Sequence, residues 1–95
     1  MSAVIEQAVA ALNARMDGGF DGTAKFVVED EGAIMIDEAG ARAGDEAADV
    51  TMTADADTFR SILDGDLNPT TAFMTGRLKV DGDMGQAMKL GSVLS

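Results

Sequence analysis

Between Arg77 and Asp81 apolar and polar positions alternate, with Leu78 and Val80 set against Arg77, Lys79 and Asp81. That is the period of two expected of a half-buried strand. The flanking segments read as helices. Asn68-Pro69 opens a short one, because Pro at the first helical position lacks only an N–H that has no partner there, and Gly76 closes it. After the strand, Gly82 supplies a turn, and Asp83 with Gln86 forms an N-cap and capping-box pair for a last helix. On that helix Met84, Ala87, Met88, Leu90, Gly91, Val93 and Leu94 spread over an arc of about 200°, against the roughly 100° of a surface helix. Lys89 and Ser92 hold the narrow polar side. Such a helix is expected to cover the sheet and also to face something else apolar: another chain, a lipid within the fold, or nothing if it frays.

The rest of the chain follows the same two periods. Ser2 to Met16 reads as a helix with Val4, Ile5, Ala8, Val9, Leu12 and Met16 on one side. Turn residues fill Asp17 to Gly22. Thr23–Glu29 and Ala33–Asp37 are short strands joined by Asp30-Glu31-Gly32, a hairpin signal. Glu38-Ala39-Gly40 is a second turn, Ala41–Ala47 a weak strand and Asp49–Thr53 a stronger one, with Val50 and Met52 facing one way. Asp55 or Thr53 caps a helix that runs to Leu63 on an apolar spine of Phe59, Ile62 and Leu63, and Gly65 ends it. Helix, three or four antiparallel strands, two helices, a strand and a helix argue an α+β fold with helices gathered on one face of a sheet.

At 95 residues the chain is expected to form a single domain over residues 1–95, with a modest core. It has no Cys and no His. That excludes a disulfide scaffold, a thiol nucleophile, serine-type triads and the usual zinc sites. The formal net charge of −10, from 17 acidic against 7 basic residues, makes nucleic acid a poor partner and disfavours strong binding to an anionic membrane. Without a basic leader or a long apolar run, the expected location is the cytoplasm. Asp64, Asp66 and Asn68 have the start of an EF-hand spacing, but Pro69 stands where the loop needs Gly and Thr75 where it needs Glu. Close carboxylates such as Asp55 and Asp57 lie where a helix start favours negative charge. No metal and no cofactor is expected. The apolar inventory is the unusual part: seven Met and four Phe, with no Trp or Tyr. Met is soft and unbranched, suited to surfaces that adapt to more than one shape. Phe73, Met74, Met84 and Met88 fall on two helices flanking one strand, where convergence would line a lipid pocket.

The block from Ala48 to Leu90, with ADVTMTADADTF and then LDGDLNPTTAFMTGRLKVDGDMGQAMKL, closely resembles the sterol carrier protein 2 family. Residues 1–47 match it only in their order of helix and strands. The resemblance implies a five-stranded, mostly antiparallel sheet covered by helices and enclosing an apolar tunnel that takes fatty acyl chains, sterols or other lipids, and it implies no catalysis. On it, the expected lipid-binding residues are Phe59, Ile62, Leu63, Phe73, Met74, Leu78, Val80, Met84, Met88, Leu90 and Leu94. Three departures stand out. The chain ends Val93-Leu94-Ser95 without a peroxisomal tripeptide, as expected of a free bacterial-type or archaeal-type domain; Asp81 stands where a basic residue is common; and Gly91 replaces a frequent Gln. The expected function is a non-catalytic lipid carrier. The alternative is an accessory module whose apolar C-terminal helix docks on a partner enzyme and presents a lipophilic intermediate such as a quinone precursor.

Overall fold

The computed structural model describes residues 3–16 and 19–94. The first apolar stripe forms α1 (Ala3–Met16), with Ile5, Ala8 and Leu12 buried and Val4, Val9 and Met16 packed at the core's margin. Ser2, Asp17 and Gly18, part of the expected helix and turn, lie outside the described residues. Strands β1 (Ala24–Val28) and β2 (Gly32–Asp37) pair antiparallel across the Asp30-Glu31-Gly32 turn. There Asp30 takes a positive φ of 67° and the Glu31 N–H donates to the Val28 carbonyl at 3.0 Å. A second turn leads to β3 (Gly40–Ala43), antiparallel to β2.

The next strand, β4 (Val50–Ala54), does not continue the meander. It pairs parallel with the far side of β1, and β5 (Lys79–Gly82) adds antiparallel to it, giving the order β3-β2-β1-β4-β5. The sheet is therefore mixed, with three of its four pairings antiparallel. This order also corrects the expected strand at Ala41–Ala47, which ends at Ala43. From there the chain has to travel back to the opposite end of the sheet, and Gly44 to Asp49 cross its outer face to do so. The Gly44 N–H donates to the Ala33 carbonyl, Lys25 pairs with Asp45 at 2.8 Å, and the Asp49 N–H donates to the Thr23 carbonyl. The crossing covers Met35, which is buried on the outer face while Ile34 and Ile36 point into the core.

On the inner face Ile34, Phe26, Met52 and Val80 stand in one row across four strands. Helix α2 (Ala56–Leu63) packs on α1 and sends Phe59 against Phe26, ring centroids 4.3 Å apart. Asp55 is its cap, accepting from the Thr58 N–H at 2.7 Å. Helix α3 (Pro69–Met74) is capped by Asn68, which accepts from the Thr70 N–H at 2.8 Å. Its end explains why β5 starts later than Arg77. The N–H groups of Arg77 and Leu78 both donate to the Ala72 carbonyl, closing the helix, so ladder pairing begins only at Lys79.

Helix α4 (Met84–Leu94) lies over β1, β4 and β5 and meets α1 and α3. Asp83 caps it by accepting from the Gln86 N–H at 3.2 Å. The reciprocal arm of the expected capping box is absent. The Asp83 N–H already donates to the Asp49 carbonyl at 2.9 Å, and Gln86 turns inward over Gly22, its Oε1 buried without a hydrogen-bond partner. At the other end the Arg15 guanidinium donates to the carbonyls of Leu63 and Leu94, gathering the last turns of α2 and α4 beneath α1. Among the described residues no helix is long and apolar enough to cross a membrane.

Two predictions follow from these joints. The Thr58 N–H holds the Asp55 carboxyl below the ordinary aspartate value of 3.8, and Arg42, donating at 2.6 Å, does the same for Asp37. A depressed folded pKa adds stability that is complete above 3.8 and lost as pH falls through the lower folded value. Thermal midpoints followed into acid should fall less steeply for Asp55→Asn, which keeps the cap and cannot titrate; an equal fall would remove Asp55 from the account. Gly82 has φ 110°, and a Cβ there would sit 2.4 Å from the Asp49 carbonyl oxygen, whereas Gly76, φ 81°, has nothing within 4 Å. In urea unfolding Gly76→Ala should cost about 1 kcal/mol from the left-handed backbone alone, and Gly82→Ala roughly 2 kcal/mol more because backbone has to move.

Candidate functional site

Where β4 and β5 meet α3 and α4, the sheet is not fully covered. A cleft of about 400 Å3 opens there. Met52 and Val80, directly paired across β4 and β5, form its floor with Leu78 beside them. One wall is α3, through Asn68, Pro69, Thr70 and Phe73. The other is α4, through Met84, Ala87, Met88, Gly91 and Ser92. The geometry of α4 explains how one helix serves both core and cleft. Leu90 and Leu94 are fully buried and Ala87 nearly so. Met84, Met88 and Gly91 fall on the adjoining face at the i, i+4, i+7 spacing of a second stripe. The second face of this helix is turned to the cleft.

The candidate residues divide accordingly. Phe73, Leu78, Val80, Met84 and Met88 come together in the cleft. Phe59, Ile62, Leu90 and Leu94 are fully or almost fully buried and belong to the core. Phe59 meets Phe26 on the sheet, α2 and α4 both pack on α1, and none of these four residues lines the cleft. Leu63 instead lines a smaller recess of about 210 Å3 between α1 and α2, with Val4, Ala8 and Phe59. Met74 is 79% exposed and outside the lining. It sits one position past Phe73, and a helix turns that step through about 100°. The space between these walls is a cleft open along one side, with Phe73 44%, Met84 50% and Met88 74% exposed.

Several lining residues escaped the sequence reading: Met52, Asn68, Pro69, Thr70, Ala87, Gly91 and Ser92. Met52 reaches the cleft only because β4 pairs with β5, a register invisible in sequence. Ala87 and Gly91 carried a legible signal, since they continue the stripe begun by Met84. Gly91 matters by its small size. A Cβ there would stand 4.0 Å from the Cβ of Pro69, so any larger side chain enters the space between the helices.

Chemically the cleft is quiet. Among the described residues its lining holds no Asp, Glu, Lys or Arg; its side-chain polar groups are the Asn68 amide and the hydroxyls of Thr70 and Ser92. Asp37 and Asp55, whose carboxyls are held low, both lie outside it. Such a lining removes apolar surface from water, and two of its polar groups are already engaged: the Asn68 side-chain oxygen accepts from the Thr70 and Thr71 N–H groups, and the Ser92 hydroxyl donates to the Met88 carbonyl.

The hydroxysteroid dehydrogenase-like protein 2 of Xenopus tropicalis is 49% identical over 47 residues, 50% of this chain and 11% of that protein. The sterol carrier protein 2 of Bos taurus is 51% identical over 47 residues, 48% of this chain and 8% of that protein. The matched region is thus about a tenth of these relatives' length. The Aedes aegypti sterol carrier protein-2, solved in complex with the C16 fatty acid palmitate, shares the fold with a TM-score of 0.79 at 20% identity, over 100% of this chain and 97% of that one. The model of the SCP-2 sterol transfer family matches residues 5–95, and the chain belongs to that family.

Proposed function

We propose that this protein is a non-catalytic lipid carrier, a single SCP2-like lipid-binding domain whose cleft shelters a fatty acyl chain, a sterol or another lipophilic molecule. The observation that carries this reading is the cleft itself: apolar walls on a mixed α+β fold, with flexible Met84 and Met88 left half or more exposed at its mouth. Its volume lies in the range of small-molecule sites, about 300–1,000 Å3. Membership of the family, and a neighbour of the same fold solved with palmitate, support the choice of ligand class. The energetics are adequate. Roughly twelve methylenes at about 0.8 kcal/mol each, less an association cost of at least about 4 kcal/mol, leave an affinity of the order of tens of micromolar.

A second reading is favoured by one observation. Met74 projects from α3 beside the cleft without lining it, as a contact for a partner enzyme receiving the ligand would. The much longer relative named as hydroxysteroid dehydrogenase-like fits a domain that works beside an enzyme. The test compares Met88→Glu with Met74→Glu, both at exposed positions that leave Leu90 and Leu94 in the core. For a carrier, native mass spectrometry and fatty-acid displacement should show bound lipid lost or weakened at least about tenfold by the carboxylate in the cleft at position 88, with position 74 near wild type. If Met74→Glu alone abolishes a complex with a partner enzyme while lipid affinity holds, the second reading replaces the first. No bound lipid and no displaceable probe in the wild type would remove both.

Gly91 provides an independent check. In thermal unfolding Gly91→Ala should stabilise the protein by roughly 0.5–1 kcal/mol, the difference in helix propensity, because its Cβ makes only ordinary contact with Pro69. Gly91→Leu should fill the cleft and reduce lipid uptake in the same displacement assay.

A further inference from the structure

Thioethers are the readily oxidised side chains of this protein, because the sequence has seven Met and no Cys, Trp, Tyr or His. The fold sorts the described ones by access. Met35 and Met52 are buried, and the Met35 sulfur already accepts from the Glu46 N–H at 3.4 Å. Met16 packs at the core's margin. Met74, Met84 and Met88 are half or more exposed, and of these three Met84 and Met88 line the cleft while Met74 does not. Met84 and Met88 stand one helical turn apart on the same stripe of α4, about 6 Å along its axis at 1.5 Å per residue.

A small hydroperoxide in water reaches both sulfurs from the open side of the cleft. The sulfur lone pair takes the outer peroxide oxygen: the S–O bond forms as the O–O bond breaks, sulfur gives up two electrons, and the departing hydroxide collects the remaining proton as water. A polar, hydrogen-bond-accepting sulfoxide then stands where a soft apolar atom stood. Without a lipid over it the new oxygen is hydrated, and the core at Leu90 and Leu94 is untouched. A lipid laid across it has to strip that water, and the nearby Ser92 hydroxyl already donates to the Met88 carbonyl. Conversely, an acyl chain seated in the cleft covers the sulfurs of Met84 and Met88 and leaves Met74 in solvent.

Resting on the lipid-carrier reading, we propose that Met84 and Met88 form a modification site for hydroperoxides, where oxidation to the sulfoxide weakens lipid binding and bound lipid in turn shields the site. The two effects are reciprocal, as any coupling between two binding states must be. Peroxide then disables the unloaded carrier and spares the loaded one.

The full chain is treated with hydrogen peroxide, with and without dodecanoate, and peptide mass spectrometry follows sulfoxide at each methionine. Without lipid, Met74, Met84 and Met88 should oxidise well ahead of Met35 and Met52. Dodecanoate at about ten times its dissociation constant should slow Met84 and Met88 roughly tenfold, in proportion to the protein left unoccupied, and leave Met74 at its own rate. In the displacement assay the oxidised chain should bind dodecanoate roughly tenfold more weakly, and methionine sulfoxide reductase with dithiothreitol should restore the affinity. The Met84→Leu/Met88→Leu double variant, close in volume and inert to peroxide, should lose none of its own starting affinity on treatment, whereas Met74→Leu should lose as much as wild type. Equal slowing of Met74 by dodecanoate, an oxidised chain that binds as before, or an equal loss in the double variant overturns the proposal and leaves the carrier reading standing. No dodecanoate binding before oxidation overturns the carrier reading and this proposal with it.

Discussion

The parallel pairing of β4 with β1 is the constraint on which the rest of the molecule depends. A meander would have set β4 beside β3 at the sheet's far edge. Instead Gly44 to Asp49 cross the outer face, and β4 takes the place between β1 and β5. Antiparallel neighbours are joined by a tight turn, whereas a parallel pair needs a longer route, and here that route covers Met35 with the crossing chain. Because β4 is interior, Met52 is flanked by Phe26 on one side and Val80 on the other. The same row of side chains runs from the centre of the core to the floor of the cleft.

Helix α4 is the second consequence. Its origin is held by the Asp83 N–H on Asp49 and by Gly82, whose backbone passes too close to Asp49 to admit a side chain. Its end is held by Arg15 through the Leu94 carbonyl. Fixed at both ends, the helix presents Leu90 and Leu94 to the core and Met84 and Met88 to the cleft. The side chains that must be immobile are branched and buried; those at the mouth are unbranched and able to change shape at little rotamer cost. Rigidity and adaptability are thus separated across one helix by the rotation between neighbouring stripes.

Charge is separated as clearly. Acidic residues are distributed along the chain, Lys25, Arg42 and Lys89 pair with Asp45, Asp37 and Asp21, Arg15 caps two helix ends, and among the described residues none of these charges lines the cleft. An apolar cavity kept free of buried charge avoids the desolvation cost that an unpaired ion would carry.

What could be read from the amino acids alone was whatever depends on near neighbours in the chain. The caps at Asp55 and Asn68, the turns at Gly65, Gly76 and Gly82, the strand alternation at Leu78 and Val80, and the excess apolar arc of the last helix all arise within a few residues, and the structure has them. The α+β class followed from the order of those pieces. What only the tertiary structure decided was which apolar residues face which space. Phe59, Ile62, Leu90 and Leu94 have the same chemistry as Phe73, Met84 and Met88, and a hydrophobic pattern records that a residue leaves water without recording what it meets. The β1–β4 pairing placed Met52 under the cleft, and the rotation of α4 split one greasy arc into a core face and a cleft face, because both depend on contacts between segments dozens of residues apart.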